Sequence, residues 1–279
     1  MQKIKLWFLT RSELLLLKNF KKSSKTDKVF NSSKTSLIQC IQDIDQLIVF
    51  DIICKNSEIK VESVVPRITY SSFYEYILFI PYLLKKIHHL IINVKWIKIY
   101  KHIGVFKFYN SANINPLIKI KVFIKAVIFF RSLKNKYELI NHSFNEILCG
   151  DLIYDSYLRF RIKPTVNIRD KTLIFYIYDC YKQIEYFTNL AKEKEIANFY
   201  TIYTTYISNG IPTRVFIKHN IKVFSVFKIS NDLYRKKEIT KNDFSHRNQH
   251  WNYRLEFNKL KEKKNLVELG YKLFSSRFS

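Results

Sequence analysis

Asp151 and Asp155 stand four residues apart, a spacing that puts two carboxylates on one face of a helix. A carboxylate so placed can take the proton of an attacking hydroxyl as a general base. Arg159 follows after another four residues and can instead pair with Asp155. The face is then an ion-paired structural one, with Tyr154 and Tyr157 packed beneath it. A second group runs from Tyr206 to Arg214. There Asn209-Gly210 reads as a turn, and a short helix is expected from about Pro212 to His219. The start of such a helix presents free N–H groups and a positive dipole end. Gly210 allows close backbone approach, and Arg214 carries a forked guanidinium that suits a phosphate or carboxylate. The plainer alternative makes Arg214 a helix-surface charge and Gly210 a turn residue.

Other chemistries find little support in the spacing. His246 and His250 are four apart, but Arg247, Asn248 and Gln249 fill the gap, so the acidic partner of a metal-binding helix is missing. His88 and His89 are adjacent and point different ways on a helix. Cys40, Cys54, Cys149 and Cys180 form no CxxC pair and have no His at zinc spacing. They read as buried free thiols of a reducing, cytoplasmic compartment. Gly104, Gly150, Gly210 and Gly270 are too far apart for a dinucleotide or P-loop fingerprint. No metal and no bound cofactor is expected for this chain.

The elements that must position these residues are legible in part. The polar stretch 21–35 reads as a loop, and the apolar run at 47–53 as a buried strand. Residues 73–99 read as helical with a break near Pro81, and 105–109 as a strand. Pro116 opens a helix to about Lys134. Asp170 is the expected N-cap of a long amphipathic helix ending near Lys194, with apolar residues from Leu173 to Leu190 at helical spacing. Strands are expected at 198–204 and 221–226, with Asn220 as the left-handed exit of the short helix between them. Helix, strand, helix, strand is the rhythm of a Rossmann-like parallel sheet, so the fold class is α/β. Residues 251–274 read as a Lys/Glu-rich helix.

The formal net charge of +25 invites a nucleic-acid or anionic-membrane reading. Lys outnumbers Arg more than threefold, whereas base and phosphate readers favour the Arg fork. The excess of Ile, Phe, Tyr, Asn and Lys over Ala, Gly and Pro is also what AT-rich coding imposes. A nucleic-acid-binding protein is therefore the alternative and not the favoured reading. The greasy windows 73–100 and 117–130 are interrupted by Lys and His and fall short of the ~20 apolar residues of a membrane span. They suit either core helices with a wet Lys face or surface helices resting on anionic lipid.

Two blocks carry a resemblance. The first is Gly150-Asp151-Leu152-Ile153-Tyr154-Asp155-Ser156-Tyr157-Leu158-Arg159, followed by Pro164-Thr165-Val166-Asn167-Ile168-Arg169-Asp170. The second is Tyr203-Thr204-Thr205-Tyr206-Ile207-Ser208-Asn209-Gly210-Ile211-Pro212-Thr213-Arg214. Together they resemble bacterial capsule and surface-polysaccharide biosynthesis proteins that look like glycosyltransferases with two Rossmann lobes (GT-B type). The resemblance covers roughly residues 137–279. Asn209 departs from it where Tyr is expected, and Asn167 where an acidic residue is common. It implies that residues 1–245 form the acceptor-side lobe and 246–279 a helical lead-in to a second lobe. A nucleotide-sugar donor would bind that second lobe, which this chain lacks, so a truncated chain inactive alone, or a non-catalytic remnant, is expected. Asp151 and Asp155 become the candidate catalytic bases. Tyr154, Arg159, Tyr206, Asn209, Gly210 and Arg214 become the candidate binders of a sugar or lipid-linked glycan acceptor. The expected partners are that acceptor, an anionic membrane surface on the inner face of the cytoplasmic membrane, and a separate donor-binding lobe.

Overall fold

Thr35–Gln39 forms a strand, β1, in which every residue is buried. A strand can be buried so completely only at the centre of a sheet covered on both faces, and β1 lies there. A computed structural model describes residues 33–40, 44–65, 96–111, 114–228, 234–242 and 263–278. In it β1 pairs in parallel with β2 (Lys60–Val65) on one side and with β6 (Ile196–Thr201) on the other. Beyond β2 lies β3 (Phe108–Asn110), also parallel. Beyond β6 lie β7 (Lys222–Lys228), parallel, and β8 (Tyr234–Ile239), antiparallel at the edge. The order β3-β2-β1-β6-β7-β8 makes a six-stranded, mostly parallel sheet. A two-stranded hairpin, β4 (Ser143–Phe144) and β5 (Ile147–Leu148), stands apart from it.

Helices cover both faces, as parallel crossovers require. On one face lie α1 (Ile44–Asn56) and the helical residues 96–102. Leu47, Phe50, Ile99 and Tyr100 pack there on Ile38 and Val226 of the sheet. On the other face lie α2 (Pro116–Ser132), α4 (Gly150–Arg161), α5 (Leu173–Glu193) and α6 (Tyr206–Lys218), closing a larger core over Leu37, Val64, Phe199 and Val223. Between α2 and α4 sits the short α3 (Lys136–Ile140), and α7 (Lys263–Phe278) is the last helix described. The result is an α/β fold with a Rossmann-like sheet.

Several expectations hold. Pro116 sits in the first turn of α2, and the Asn115 side chain accepts from the Leu117 amide as its cap. The long helix after Asp170 forms and ends at Glu193, but its N-cap is Thr172 and not Asp170, whose side chain accepts from the Thr172 amide at 2.9 Å just ahead of it. Asn220 takes a φ of 59° just after α6. Other expectations are corrected. The run 47–53 is not a strand but the middle of α1. A short apolar run carries no period that separates the two. The missed signal is Asp51, which is buried and pairs with Lys55 one turn later, a contact that only a helix makes. Burial raises the Asp51 carboxyl above its ordinary range, against the pull of Lys55. The first strand lies instead at the end of the presumed polar loop. The strand expected at 105–109 begins at Phe108. The expectations around Pro81, His88, His89, His246 and His250, and those for residues 251–262, lie outside the described residues.

The largest correction concerns α6. It starts at Tyr206, so Gly210 is not a turn residue and Pro212 lies inside the helix. Pro212 cannot donate to the preceding turn, and the Thr213 hydroxyl donates to Asn209 O at 3.1 Å in the same stretch. Gly210 is required by packing. A Cβ there would meet Leu152 Cδ1 of α4 at 2.5 Å and Thr204 O at 2.7 Å. A Cβ on Gly150 would lie 1.6 Å from Leu139 O.

Gly210→Ala should therefore destabilise. The gain in helix propensity, about 1 kcal/mol, is outweighed by overpacking against backbone, about 1–3 kcal/mol. Gly150→Ala should cost more, because backbone atoms must move. Urea unfolding of the two variants and the parent checks the sign and the order.

Candidate functional site

In a sheet of this order the connection from β1 runs to β2 on one side, and that from β6 runs to β7 on the other. The carboxyl ends of β1 and β6 then flank the topological switch point, where open α/β sheets hold ligands in a crevice. Gln39 ends β1 and Thr201 ends β6. The Thr201 hydroxyl donates to Gln39 Oε1, and Gln39 Nε2 donates to Asn209 Oδ1 at 2.7 Å. The Tyr100 hydroxyl donates to the Gln39 carbonyl at 3.3 Å from the other face. Gln39 and Thr201 are buried; Asn209, one turn into α6, is half-buried. The Asn209 amide nitrogen has no partner among the described residues. Cys40, next to Gln39, is no nucleophile: burial pushes its thiol up to about 12.

The link from β6 to α6 carries the tyrosines. Tyr203 is exposed. Tyr206 has a φ of 62°, the left-handed region that costs a non-glycine residue roughly 1–2 kcal/mol. Strain of this kind collects at functional sites and persists only where the surroundings enforce it. Here Ser156 of α4 accepts from the next amide, Ile207 N–H, at 2.9 Å. Phe160 packs edge-on against the Tyr206 ring at 6.2 Å between centroids. Arg159 is exposed in the last turn of α4, beside Phe160.

These contacts fix α4 and α6 as antiparallel neighbours. Ser156 meets Ile207, Leu152 meets Gly210, and Asp151 meets Arg214. The sequence candidates accordingly fall into two groups. Tyr206, Asn209 and Arg159 lie at the carboxyl end of the sheet, with Gly210 at the helix crossing beneath them. Asp151 and Arg214 lie eight residues away along their helices, about 12 Å at 1.5 Å per residue. Tyr154 and Asp155 sit between, Tyr154 half-buried against the core and Asp155 exposed.

Asp151 and Arg214 hold each other. Arg214 Nη1 donates to Asp151 Oδ1 and Nη2 to Oδ2, both at 2.6 Å, and Nη1 also donates to Leu148 O at 2.6 Å. This is the forked geometry expected for a phosphate, filled here by a side chain. An incoming anion would have to displace Asp151. The pair ties α4 and β5 to α6. Lys218 secures the same hairpin by donating to Asn145 O at 2.7 Å and pairing with Glu146. Asn145 and Glu146 both have positive φ, as a two-residue hairpin turn of the primed type demands.

Behind this pair lies a polar group of the buried Tyr181, Cys149 and Cys180 with the half-buried His142. The Tyr181 hydroxyl lies 2.5 Å from His142 Nε2, and Phe129 of α2 stacks on the imidazole at 3.6 Å. Burial lowers the His142 pKa to about 4 and raises those of Tyr181 and Cys180. His142 is therefore neutral near pH 7, with Nε2 accepting from the tyrosine. All four cysteines are free.

Sequence reading missed Gln39, Thr201, Tyr203 and Phe160. The signal for the first was present: Gln39 ends a stretch of buried residues, and a polar side chain at a strand's carboxyl end is where a site forms. It was hidden by assigning the first strand to 47–53. Comparison with models of known families, with curated proteins and with solved structures gives no match to this chain.

Removing one partner of the Asp151–Arg214 pair should be asymmetric. The Arg214 side chain is 5% exposed and that of Asp151 36%. Asp151→Ala leaves a buried cation and should cost about 3 kcal/mol, whereas Arg214→Met leaves a carboxylate that reaches water and should cost less. Urea unfolding of both variants decides the order. His142 gives a pH dependence. Its folded pKa, about 4, lies below the unfolded value of 6.5, so the folded state binds fewer protons between them. Its contribution is complete above pH 6.5 and is lost as pH falls towards 4. His142→Phe should flatten the stability profile in that window relative to the parent, measured by unfolding at a series of pH values.

Proposed function

We propose that this chain is the acceptor-binding lobe of a glycosyltransferase-like protein of surface-polysaccharide biosynthesis. The observation that carries this reading is the cluster at the carboxyl ends of β1 and β6, where Gln39 bonds Asn209 and the exposed Tyr203 and the strained Tyr206 follow β6. A tyrosine offers an apolar ring with a polar tip. A sugar offers C–H faces and hydroxyl edges, so the two match. Asn209 adds an amide donor, and Arg159 adds a cation for an acidic or phosphorylated glycan. A nucleotide-sugar would be the donor, held by a second lobe facing this cluster. The resemblance of the two sequence blocks to capsule-type glycosyltransferases is the further support.

In this reading the general base is Asp155 and not Asp151. Its place carries this: Asp155 is exposed on α4, one turn nearer the carboxyl ends of the strands than Asp151, which Arg214 holds.

Tyr206→Gly separates function from folding. Glycine relieves the positive φ, which offsets the lost ring contact with Phe160, so stability should change by less than about 1 kcal/mol. Binding of soluble bacterial capsular oligosaccharides, read on a glycan array and by calorimetry, should fall at least tenfold if the ring stacks on sugar (about 1.4 kcal/mol). Equal binding by parent and variant, or no glycan bound by the parent, would remove the proposal.

A further inference from the structure

Helix α2, Pro-Leu-Ile-Lys-Ile-Lys-Val-Phe-Ile-Lys-Ala-Val-Ile-Phe-Phe-Arg-Ser, carries large apolar side chains on more than one side. A helix of that composition is normally buried on every side. Only one side of α2 is: Val122 and Ala126 pack into the core, Phe123 packs edge-on against Tyr178, and Phe129 stacks on His142. The opposite side faces outwards. Leu117 is 74% exposed, Ile120 59%, Ile124 53% and Ile128 62%. These four recur at helical spacing and form one stripe. Apolar stripes of this extent are seldom left to water in a soluble protein. Lys121 and Lys125 run along one flank of the stripe, Lys119 and Arg131 add further cations, and the helix contains no acidic residue.

We infer that this face of α2 is a docking surface for an anionic lipid bilayer. The helix would lie in the plane of the headgroups, with the isoleucines below and the lysines at the phosphate level. Charge selects this occupant over a second copy of the chain. A symmetric pairing of the face would bring like charges of both copies together along a stripe with no acid to receive them. Among the described residues no helix is long and apolar enough to cross a membrane, so α2 would rest on the surface. The inference does not depend on the glycan reading, because it is tested without sugar.

The test is co-sedimentation of the whole chain with vesicles of phosphatidylcholine alone and with one-third phosphatidylglycerol. Binding is expected to the second and to fall at least about tenfold in Ile124→Gln/Ile128→Gln, whose exposed positions leave the fold intact as checked by circular dichroism. Lys121→Gln/Lys125→Gln should lose about tenfold on the anionic vesicles and leave the residual apolar binding unchanged. Absence of binding by the parent would overturn the inference. So would unchanged binding by the isoleucine variant, since the charge of the rest of the chain would then be responsible. A parent that is dimeric by light scattering, and an isoleucine variant that is monomeric yet binds vesicles as before, would assign the face to self-association instead.

Discussion

The close crossing of α4 and α6 is the contact on which the arrangement of this protein depends. Gly210 brings the two helices together where no Cβ fits, against Leu152 and the Thr204 carbonyl. On one side of the crossing, Ser156 accepts from the Ile207 amide; on the other, Arg214 closes its fork on Asp151. Three contacts along two antiparallel helices leave no freedom to slide. Tyr206 is held in its left-handed conformation because the helix that it begins is pinned from below. The position of Asn209 under Gln39 follows from the same constraint.

Two clusters of buried charged and polar side chains are answered within the fold. Glu62, on β2, pairs with Lys194 and Lys60 and accepts from Tyr109. Burial opposes its ionisation, but these partners prevail and its carboxyl lies below the ordinary range. Asp179, Lys182 and Gln183 satisfy one another inside α5. An unanswered buried polar group costs more than a satisfied one gains, so such clusters fix one packing and leave little chemistry to spare. The cluster at the carboxyl ends of β1 and β6 differs. Around Gln39 the network ends in Asn209, whose amide nitrogen has no partner among the described residues, and it is edged by exposed aromatic rings.

Much of this was legible in sequence where a cap or a long period marked an element. Pro116 announced α2, the apolar period after Asp170 announced α5, and the strand–helix–strand rhythm from residue 198 announced the parallel sheet. Where the signal was only apolar character, reading failed. Residues 47–53 looked like a strand because hydrophobicity without a period is ambiguous, and the Asp51–Lys55 spacing went unused. Gly210 looked like a turn because Asn-Gly and Pro usually punctuate chains. Here the glycine answers a neighbouring helix, which is information held by Leu152 some sixty residues away. The same limit explains the candidate site. Asp151 and Arg214 were both singled out by type, but that each is the other's partner is a tertiary fact.

The most direct test of the central claim maps where a glycan touches the protein. Isotope-labelled chain would be titrated with soluble capsular oligosaccharides and its amide and side-chain resonances followed. The account predicts that shifts gather at Gln39, Thr201, Tyr203, Tyr206 and Asn209, and that Asp151 and Arg214 stay still. Shifts centred on the Asp151–Arg214 pair, or absent from the carboxyl ends of β1 and β6 at saturating glycan, would contradict it.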